Sequence, residues 1–145
     1  MIDVRVYYED TDAGGIVYYA NYLRFFERSR SDWLRAQGVD HQRLAAQGLA
    51  LVVRNCSIDY HRPARLDDLL SVQTCMTDPA RDIRRASIRL HHRACNQADG
   101  TLLAEGPVQI ACVELATMRA APLPDDVVTR LRAHAGSLSG AAGHP

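Results

Sequence analysis

Residues 7–30 read YYEDTDAGGIVYYANYLRFFERSR, and the rest of the chain is organised around this stretch. Two aspartates, Asp10 and Asp12, lie just before a pair of glycines. Glycine lets the backbone turn sharply and come close to a ligand. Because helical periodicity begins near Tyr18, the stretch predicts a strand end, an acidic turn and the start of an aromatic-rich helix.

The beginning of the predicted helix offers a chemical partner to the acidic turn. The first N–H groups of a helix have no intrahelical acceptor and carry partial positive charge. They can therefore hold an anion, or an oxygen that becomes negative during a reaction. A carboxylate opposite such donors leaves a gap that a carbonyl group fits, so the stretch predicts an active site for reactions at a carbonyl.

The patterns around this stretch predict an α+β fold, with one helix packed on an antiparallel sheet. Residues 2–8 alternate like a half-buried strand, with Tyr8 on the apolar face. Apolar residues then recur at three- and four-residue steps over 19–35, which predicts one long amphipathic helix with Tyr19 and Leu23 on its apolar side. Asp40 is expected to be the N-cap of a short helix over 41–47.

From residue 49 the apolar residues recur every second position, which predicts strands. Four strands are expected, namely one from 49 to Pro63 with Val52, Cys56, Ile58 and Tyr60 on one face, one over 70–76, one over 86–94 and one over 102–115. Pro107 lacks an N–H donor, so a bulge or an unpaired position is expected there. A short helix is expected near 125–134, and residues 136–145, GSLSGAAGHP, are expected to form a disordered tail.

Length and charge limit the possible functions. The chain has 145 residues, enough for one domain, expected over 1–135. Its 17 basic residues are all Arg and balance 17 acidic ones, which argues against nucleic-acid binding, a polybasic membrane anchor and lysine chemistry. The charged, alternating start and the lack of a long apolar run argue against a signal peptide and a membrane span, so a cytoplasmic protein is expected.

Metal binding has little support in the sequence. Cys56, Cys75, Cys95 and Cys112 lack CxxC spacing and are expected to be free thiols in strands. A calcium loop that starts at Asp10 lacks suitable ligands at its fifth and twelfth positions. His91 and His92 are neighbours in a strand and are expected to point to opposite faces, so no metal site and no cofactor are predicted.

Two blocks of the sequence resemble a known family. The string from Val6 to Arg28, with Asp-Thr-Asp-Ala-Gly-Gly, Val-Tyr, Asn-Tyr and Glu-Arg, is similar to hotdog-fold acyl-CoA thioesterases. Val53, Asp59-Tyr60 and the PARLDD block at 63–68 extend the resemblance over most of residues 4–125. Within the family the pattern is closest to the Tol-Pal-associated type, which is related to 4-hydroxybenzoyl-CoA thioesterase.

The resemblance implies a fold, a reaction and two site residues. The fold is the hotdog, in which a long central helix is wrapped by an antiparallel sheet. The catalytic carboxylate of the family falls on Asp12, and the helix N-terminal amide that polarises the thioester falls on Tyr19. Near relatives often have His at that position, but the family uses the backbone N–H. A homodimer with each active site between protomers is implied, with a tetramer as the further expectation.

The residues around these two leave several roles open. Asp12 can attack the thioester to give a mixed anhydride, or act as a base on water. Gly15 and Asn21 are candidate substrate contacts, although Asn21 can instead orient the turn. Arg84 and Arg85 are candidates for binding the phosphates of coenzyme A, with simple solvation as the alternative.

Three function classes are compatible with these observations. The leading hypothesis is an acyl-CoA thioesterase, with an acyl carrier protein as a second candidate carrier of the acyl group. A hydratase or dehydratase of the same fold is disfavoured, because no His lies in the acidic turn or at the helix start. The third class is a non-catalytic acyl-carrier or envelope-complex binding module.

Overall fold

The computed structural model describes residues 1–138, with side chains up to residue 134. The strands of this part of the chain are β1 (Ile2–Arg5), β2 (Leu49–Cys56), β3 (Asp59–Tyr60), β4 (Leu69–Cys75), β5 (Ser87–Asn96) and β6 (Leu102–Glu114). Its helices are α1 (Asn21–Ala36), α2 (His41–Ala46), α3 (Pro79–Asp82) and α4 (Asp125–Leu138), with a 3₁₀ turn at Tyr8–Asp10. The α+β class predicted from the sequence is confirmed.

The strands pair in the order β1-β4-β5-β6-β2, and β3 also pairs with β6. The pairs β1–β4, β4–β5, β2–β6 and β3–β6 are antiparallel. In β4, Leu70, Val72 and Thr74 are buried on one face, as the period-two pattern predicts. The strands expected over 70–76, 86–94 and 102–115 are thus confirmed within two or three residues.

The described chain divides into two compact units. The first unit consists of Met1–Trp33, Ser57–Cys75 and His91–Pro107. The second consists of Leu34–Cys56, Met76–Leu90 and the segment from Val108 onwards. Helix α1 and strands β5 and β6 contribute residues to both.

The core of the first unit forms around the beginning of α1. Tyr22, Phe25 and Phe26 are almost fully buried and pack with residues of β1, β4, β5 and β6. Further along the same helix face, the Ser29 hydroxyl bonds the Thr74 hydroxyl over 2.8 Å. Burying large apolar side chains at helical spacing is what stabilises α1 against the sheet.

Three apolar side chains assigned to buried faces are exposed instead. Tyr8 is 81% exposed, because the chain leaves β1 after Arg5 and enters the 3₁₀ turn. Tyr19 is 61% exposed, since it lies in the turn before α1, and Leu23 is 48% exposed on the outer side of the helix. Phe25, which the sequence pattern did not assign, takes the buried position.

The single strand expected from residue 49 to Pro63 is two strands. The register of β2 with β6 ends at the pair Cys56–Val108, and that of β3 begins at Asp59–Glu105. Pro107 lies between the two ladders, so the predicted interruption there is confirmed. A side chain at the neighbouring Gly106 would place its Cβ 1.7 Å from the Ser57 carbonyl oxygen, which explains why glycine occupies this position.

The second unit contains the smaller helices. The carboxylate of Asp40 accepts a 2.8 Å hydrogen bond from the Gln42 N–H, so the predicted N-cap of α2 is confirmed. Helix α3 lies between β4 and β5, where the sequence patterns predict no helix. Helix α4 continues to Leu138, four residues past its predicted end, and residues 139–145 of the expected tail lie outside the described residues. The single domain over 1–135 stays a prediction.

Candidate active site

The acidic turn is a tight β-hairpin in the first unit. The Asp12 N–H donates to the Ile16 carbonyl over 2.9 Å, and the Gly15 N–H donates back to the Asp12 carbonyl over 3.0 Å. Gly15 has a φ of 77°, a left-handed conformation that favours glycine. The hairpin brings Thr11 into a bridge with Val17, so the acidic residues fold back towards the start of α1.

In the Asp12 carboxylate, one oxygen accepts a hydrogen bond and the other accepts none from the described residues. Its Oδ1 accepts a 2.8 Å hydrogen bond from the Gly14 N–H, two residues further on. A Cβ at Gly14 would lie 3.2 Å from this oxygen, so glycine gives the carboxylate room. Among residues 1–138, no hydrogen bond to Oδ2 is found, and the residue is exposed. The side chain is therefore held by one oxygen and open to a substrate at the other.

Asp10, the other carboxylate of the turn, is occupied by structural contacts. Its Oδ2 accepts a 2.9 Å hydrogen bond from the Tyr7 N–H. Its carbonyl oxygen accepts from the Tyr18 N–H and from the Asn21 side-chain amide, each over 2.9 Å. Asn21 is only 9% exposed. These contacts favour the role of Asn21 in orienting the turn over a direct contact with substrate.

The turn that precedes α1 leaves two backbone donors without acceptors. Helix α1 begins at Asn21, two residues after Tyr19. Within the described part of the chain, no hydrogen bond from the N–H groups of Tyr19 and Ala20 is found. These are the orphan donors expected at a helix start, and the partial positive charge of the helix end adds to them.

The PARLDD block holds the hairpin in place through backbone contacts. The Val17 N–H donates to the Ala64 carbonyl over 2.8 Å, and Ile16 forms a bridge with Arg65. The block closes on itself, because the Asp68 carboxylate accepts the Arg65 N–H over 2.9 Å. The two sequence blocks that carry the family resemblance are therefore neighbours in space.

Aromatic rings surround the start of α1. The rings of Tyr18 and Tyr19 are 4.8 Å apart, and Tyr60 lies 5.7 Å from Tyr22 and 6.2 Å from Tyr19. Burial, together with the nearby Tyr60, raises the pKa of Tyr22 to about 12. The Tyr22 hydroxyl thus stays protonated at neutral pH and is no candidate for a general base.

Tyr60 makes a contact that no sequence pattern predicts. Its hydroxyl donates a 2.9 Å hydrogen bond to the Tyr19 carbonyl oxygen, across 41 residues of sequence. Alternation in β3 indicated only which face the side chain takes, and no local pattern indicates its partner. A second cluster that the sequence did not predict is centred on Glu105, whose carboxylate bonds His61 over 3.0 Å and His91 over 3.1 Å.

The two candidate phosphate ligands belong to the second unit. Arg84 and Arg85 follow α3 and are exposed. Their backbones are fixed, since the Arg84 N–H donates to the Ser87 carbonyl and the Arg85 carbonyl accepts the Leu123 N–H, each over 2.8 Å. No ion pair of either guanidinium is found among residues 1–134, so both cations are available to an anionic ligand.

The neighbouring histidines have different surroundings, as alternation predicts. His91 bonds Glu105, whereas His92 is fully buried and stacks on Phe26 with ring centres 4.8 Å apart. Over the residues described, no group of three His, Cys, Asp or Glu side chains is arranged to hold a metal ion. None of the helices in that range is both long and apolar enough to cross a membrane.

Comparisons with known proteins agree on one family. Residues 6–131 match the family model of the thioesterase-like superfamily. The acyl-CoA thioester hydrolase YbgC of Escherichia coli O6:H1 is 43% identical over 129 residues, which cover 89% of this chain and 92% of that protein. The acyl-CoA thioesterase YbgC of Haemophilus influenzae is 43% identical over 125 residues, covering 86% and 88%. The crystal structure of a 1,4-dihydroxy-2-naphthoyl-CoA thioesterase from Synechocystis has a TM-score of 0.79 and 26% identity, covering 90% of this chain and 93% of that one.

The chain belongs to the thioesterase-like superfamily, and the predicted hotdog fold is confirmed. It is a homologue of the YbgC proteins, and the prediction of an enzyme of the thioesterase class is confirmed with it. The association with the Tol-Pal system, the oligomeric state and the cytoplasmic location stay predictions.

Proposed function

We propose that the protein hydrolyses acyl-CoA thioesters, with Asp12 as the catalytic carboxylate and the Tyr19 amide as the oxyanion donor. The observation that carries the proposal is the pairing of an Asp12 oxygen that accepts no described hydrogen bond with an N–H at Tyr19 that lacks an acceptor. Both lie in the first unit, on the hairpin and turn that lead into α1. The names of relatives at 43% identity support the substrate class.

The reaction follows from these two groups. Either the Asp12 carboxylate attacks the thioester carbonyl and expels the CoA thiolate, leaving a mixed anhydride that water hydrolyses, or it takes a proton from the water that attacks. In both routes the carbonyl oxygen becomes negative, and the N–H of Tyr19 stabilises it. Losing one such donor typically costs ~10²–10³-fold in rate.

A second protomer is part of the proposal. Asp12 is exposed in the single chain, where water would solvate its carboxylate and weaken electrostatic stabilisation. We propose a homodimer in which the partner covers this surface, and two dimers forming a tetramer. Exposed apolar side chains on the first unit support this, among them Tyr7, Tyr8 and Leu23.

The remaining residues are proposed for substrate binding. Gly15 lies at the tip of the hairpin, where no described atom is within 4 Å of the position a Cβ would take, so the acyl group can approach the backbone there. Arg84 and Arg85 provide cations for the CoA phosphates, since guanidinium groups bind phosphate oxygens in a bidentate way. An acyl carrier protein remains the alternative carrier, and for Asn21 we prefer the orienting role.

The test is an acyl-CoA panel run on wild type and on Asp12→Asn side by side. The panel covers short aliphatic, long-chain and aromatic acyl groups, with kcat and KM measured for each. We expect wild type to hydrolyse at least one substrate class, and Asp12→Asn to lower kcat by about 10³-fold or more while retaining the fold. Asp10→Asn is the matched control, because that carboxylate is engaged by the Tyr7 N–H.

The competing function is a non-catalytic binding module. It predicts that wild type turns over no acyl-CoA of the panel, and that Asp12→Asn binds acyl-CoA as wild type does. Full turnover by Asp12→Asn would equally contradict the proposed mechanism, even with a thioesterase fold.

A further inference from the structure

The side chain of Tyr60 connects strand β3 to the turn that precedes α1. Its hydroxyl donates to the Tyr19 carbonyl over 2.9 Å, and its ring packs edge-on against the rings of Tyr19 and Tyr22. Among residues 1–134, the other hydrogen bond found to the Tyr19 carbonyl is a long one, 3.4 Å from the Tyr22 N–H of α1. The hydroxyl of Tyr60 is therefore the closer partner of this carbonyl.

The other groups around the Tyr19 amide are fixed as well. The Tyr18 N–H donates to the Asp10 carbonyl over 2.9 Å, and the Tyr18 carbonyl accepts the Asn21 N–H over 2.9 Å. The peptide unit that carries the Tyr19 N–H is thus anchored on its N-terminal side by Asp10 and Asn21. On its C-terminal side the anchor is Tyr60.

We propose that Tyr60 is a positioning residue for thioester hydrolysis, and that its hydroxyl fixes the Tyr19 backbone so that the orphan N–H points at the developing oxyanion. The inference rests on the proposed role of the Tyr19 amide. Tyr60 acts through the Tyr19 carbonyl and touches no reacting atom in this assignment.

The physical reason is that the ends of helices fray. The first residues before a helix have few intrahelical bonds, so their backbone torsions vary unless something outside the helix restrains them. The hydrogen bond from Tyr60 fixes the peptide unit that follows the Tyr19 Cα, and the bonds of Tyr18 fix the unit before it. Together they restrain both torsions of Tyr19 and so the direction of its N–H, which lowers the reorganisation needed when negative charge develops nearby. Preorganised donors contribute to the rate because they need not be oriented during the reaction.

The experiment is Tyr60→Phe, which removes the hydroxyl and keeps the ring contacts. We expect kcat to fall about tenfold, less than the ~10²–10³-fold loss of a complete oxyanion donor, with KM within about twofold of wild type. Thr129→Val is the matched control, because it also removes a 2.9 Å hydroxyl-to-carbonyl hydrogen bond, but on an exposed position of α4 in the second unit, so its kcat should equal that of wild type.

Two results separate positioning from general stabilisation. Replacing Tyr60 with 3-fluorotyrosine retains a hydroxyl donor, so it should restore kcat to at least half the wild-type value at pH 6, where that hydroxyl is protonated. Urea unfolding should show that Tyr60→Phe remains folded under assay conditions. A fall in kcat that 3-fluorotyrosine does not restore, or a rise in KM with unchanged kcat, would overturn the assignment.

Failure of this inference is distinguishable from failure of the proposed function. If wild type hydrolyses acyl-CoA, Asp12→Asn does not, and Tyr60→Phe retains the wild-type kcat, the positioning role is wrong and the thioesterase mechanism stands. If wild type is inactive on the whole panel, the proposed function fails and the positioning role fails with it.

Discussion

His92 is a neutral imidazole enclosed in the core of the first unit. The ring is fully buried, stacks on Phe26, and lies with its Nε2 3.4 Å from a guanidinium nitrogen of Arg30. Since an Arg nitrogen can only donate, Nε2 is the acceptor and the ring proton lies on Nδ1, which has no hydrogen-bond partner among the described residues. Burial, and then the Arg30 charge, lower the pKa of His92 to about 3.

This pKa predicts acid sensitivity of the folded state. The unfolded chain binds a proton at His92 near pH 6.5 and the folded chain only near pH 3, so the stability is complete above pH 6.5 and is lost as pH falls. We expect the free energy of unfolding to drop by up to about 1.4 kcal/mol per pH unit below 6.5. Urea unfolding at pH 7, 6 and 5 measures the slope.

The control for this prediction lies one residue away. His92→Gln removes the titrating ring and should flatten the dependence between pH 6.5 and 5. His91→Gln changes a partly exposed histidine on the same strand and should retain the wild-type slope. Hydrogen bonds from His91 and His61 lower the pKa of Glu105, so that carboxylate contributes only at lower pH. Equal slopes in wild type and His92→Gln would contradict the prediction.

The two aspartates of the hairpin show how neighbouring residues of one type take different roles. The Asp10 carboxylate and carbonyl are both occupied by backbone and amide donors. Asp12 has one oxygen tied to the Gly14 N–H and another with no described hydrogen bond. Only the second arrangement leaves a carboxylate that can react, and it depends on which N–H groups the folded hairpin presents.

At the scale of elements, strand β6 changes partners in the middle of its length. It pairs with β2 from Val108 onwards and with β3 at Ala104 and Glu105. Strand β3 begins at this change of partner and carries Tyr60. The change of partner therefore determines where the proposed positioning residue lies. Gly106 permits the close approach of the Ser57 backbone at this point.

The close approach of the Ser57 backbone to Gly106 predicts that a side chain at position 106 strongly destabilises the fold. Gly106→Ala would place a methyl carbon 1.7 Å from a backbone oxygen, and a backbone cannot give way as a flexible side chain does. We expect a loss of roughly 3 kcal/mol or more in the free energy of unfolding, measured by urea or thermal denaturation. Gly14→Ala adds the same methyl at the larger distance of 3.2 Å from a side-chain oxygen, so its loss in the free energy of unfolding should be clearly smaller. Similar losses in both variants would refute the explanation.

At the scale of the whole molecule, the first unit exposes a group of large apolar side chains that single domains usually cover. Members of this group are Tyr7, Tyr8, Tyr18, Tyr19, Leu23 and Tyr60. They border the hairpin with Asp12 in sequence or in space, so a partner seated on them would also exclude water from the carboxylate.

This surface predicts that activity depends on assembly. Sedimentation velocity at micromolar concentration should give a dimer or a tetramer, and activity per chain should fall when dilution separates the protomers. Leu23→Arg places a charge on the exposed side of α1 and should weaken assembly and kcat together. Arg24→Leu, at the neighbouring exposed position, removes a charge instead and should weaken neither. A fully active monomer would contradict the proposed dimer.

Sequence patterns were sufficient to predict the α+β class, most element positions and the acidic turn next to a helix start. These follow from apolar periodicity, glycine and capping residues, which act between residues close in the chain. The resemblance of two sequence blocks indicated the hotdog fold, and the comparisons confirmed it.

Which groups within those elements are free and which are occupied depends on contacts between segments that are distant in the chain. Asn21 turned inward to the Asp10 carbonyl, Tyr19 turned outward, and Tyr60 reached the Tyr19 carbonyl from a strand 41 residues away. A local pattern gives the face of a side chain but not its partner, because the partner comes from a segment that only folding brings near. The chemistry of the site depends on those partners, and so it is set by packing rather than by spacing.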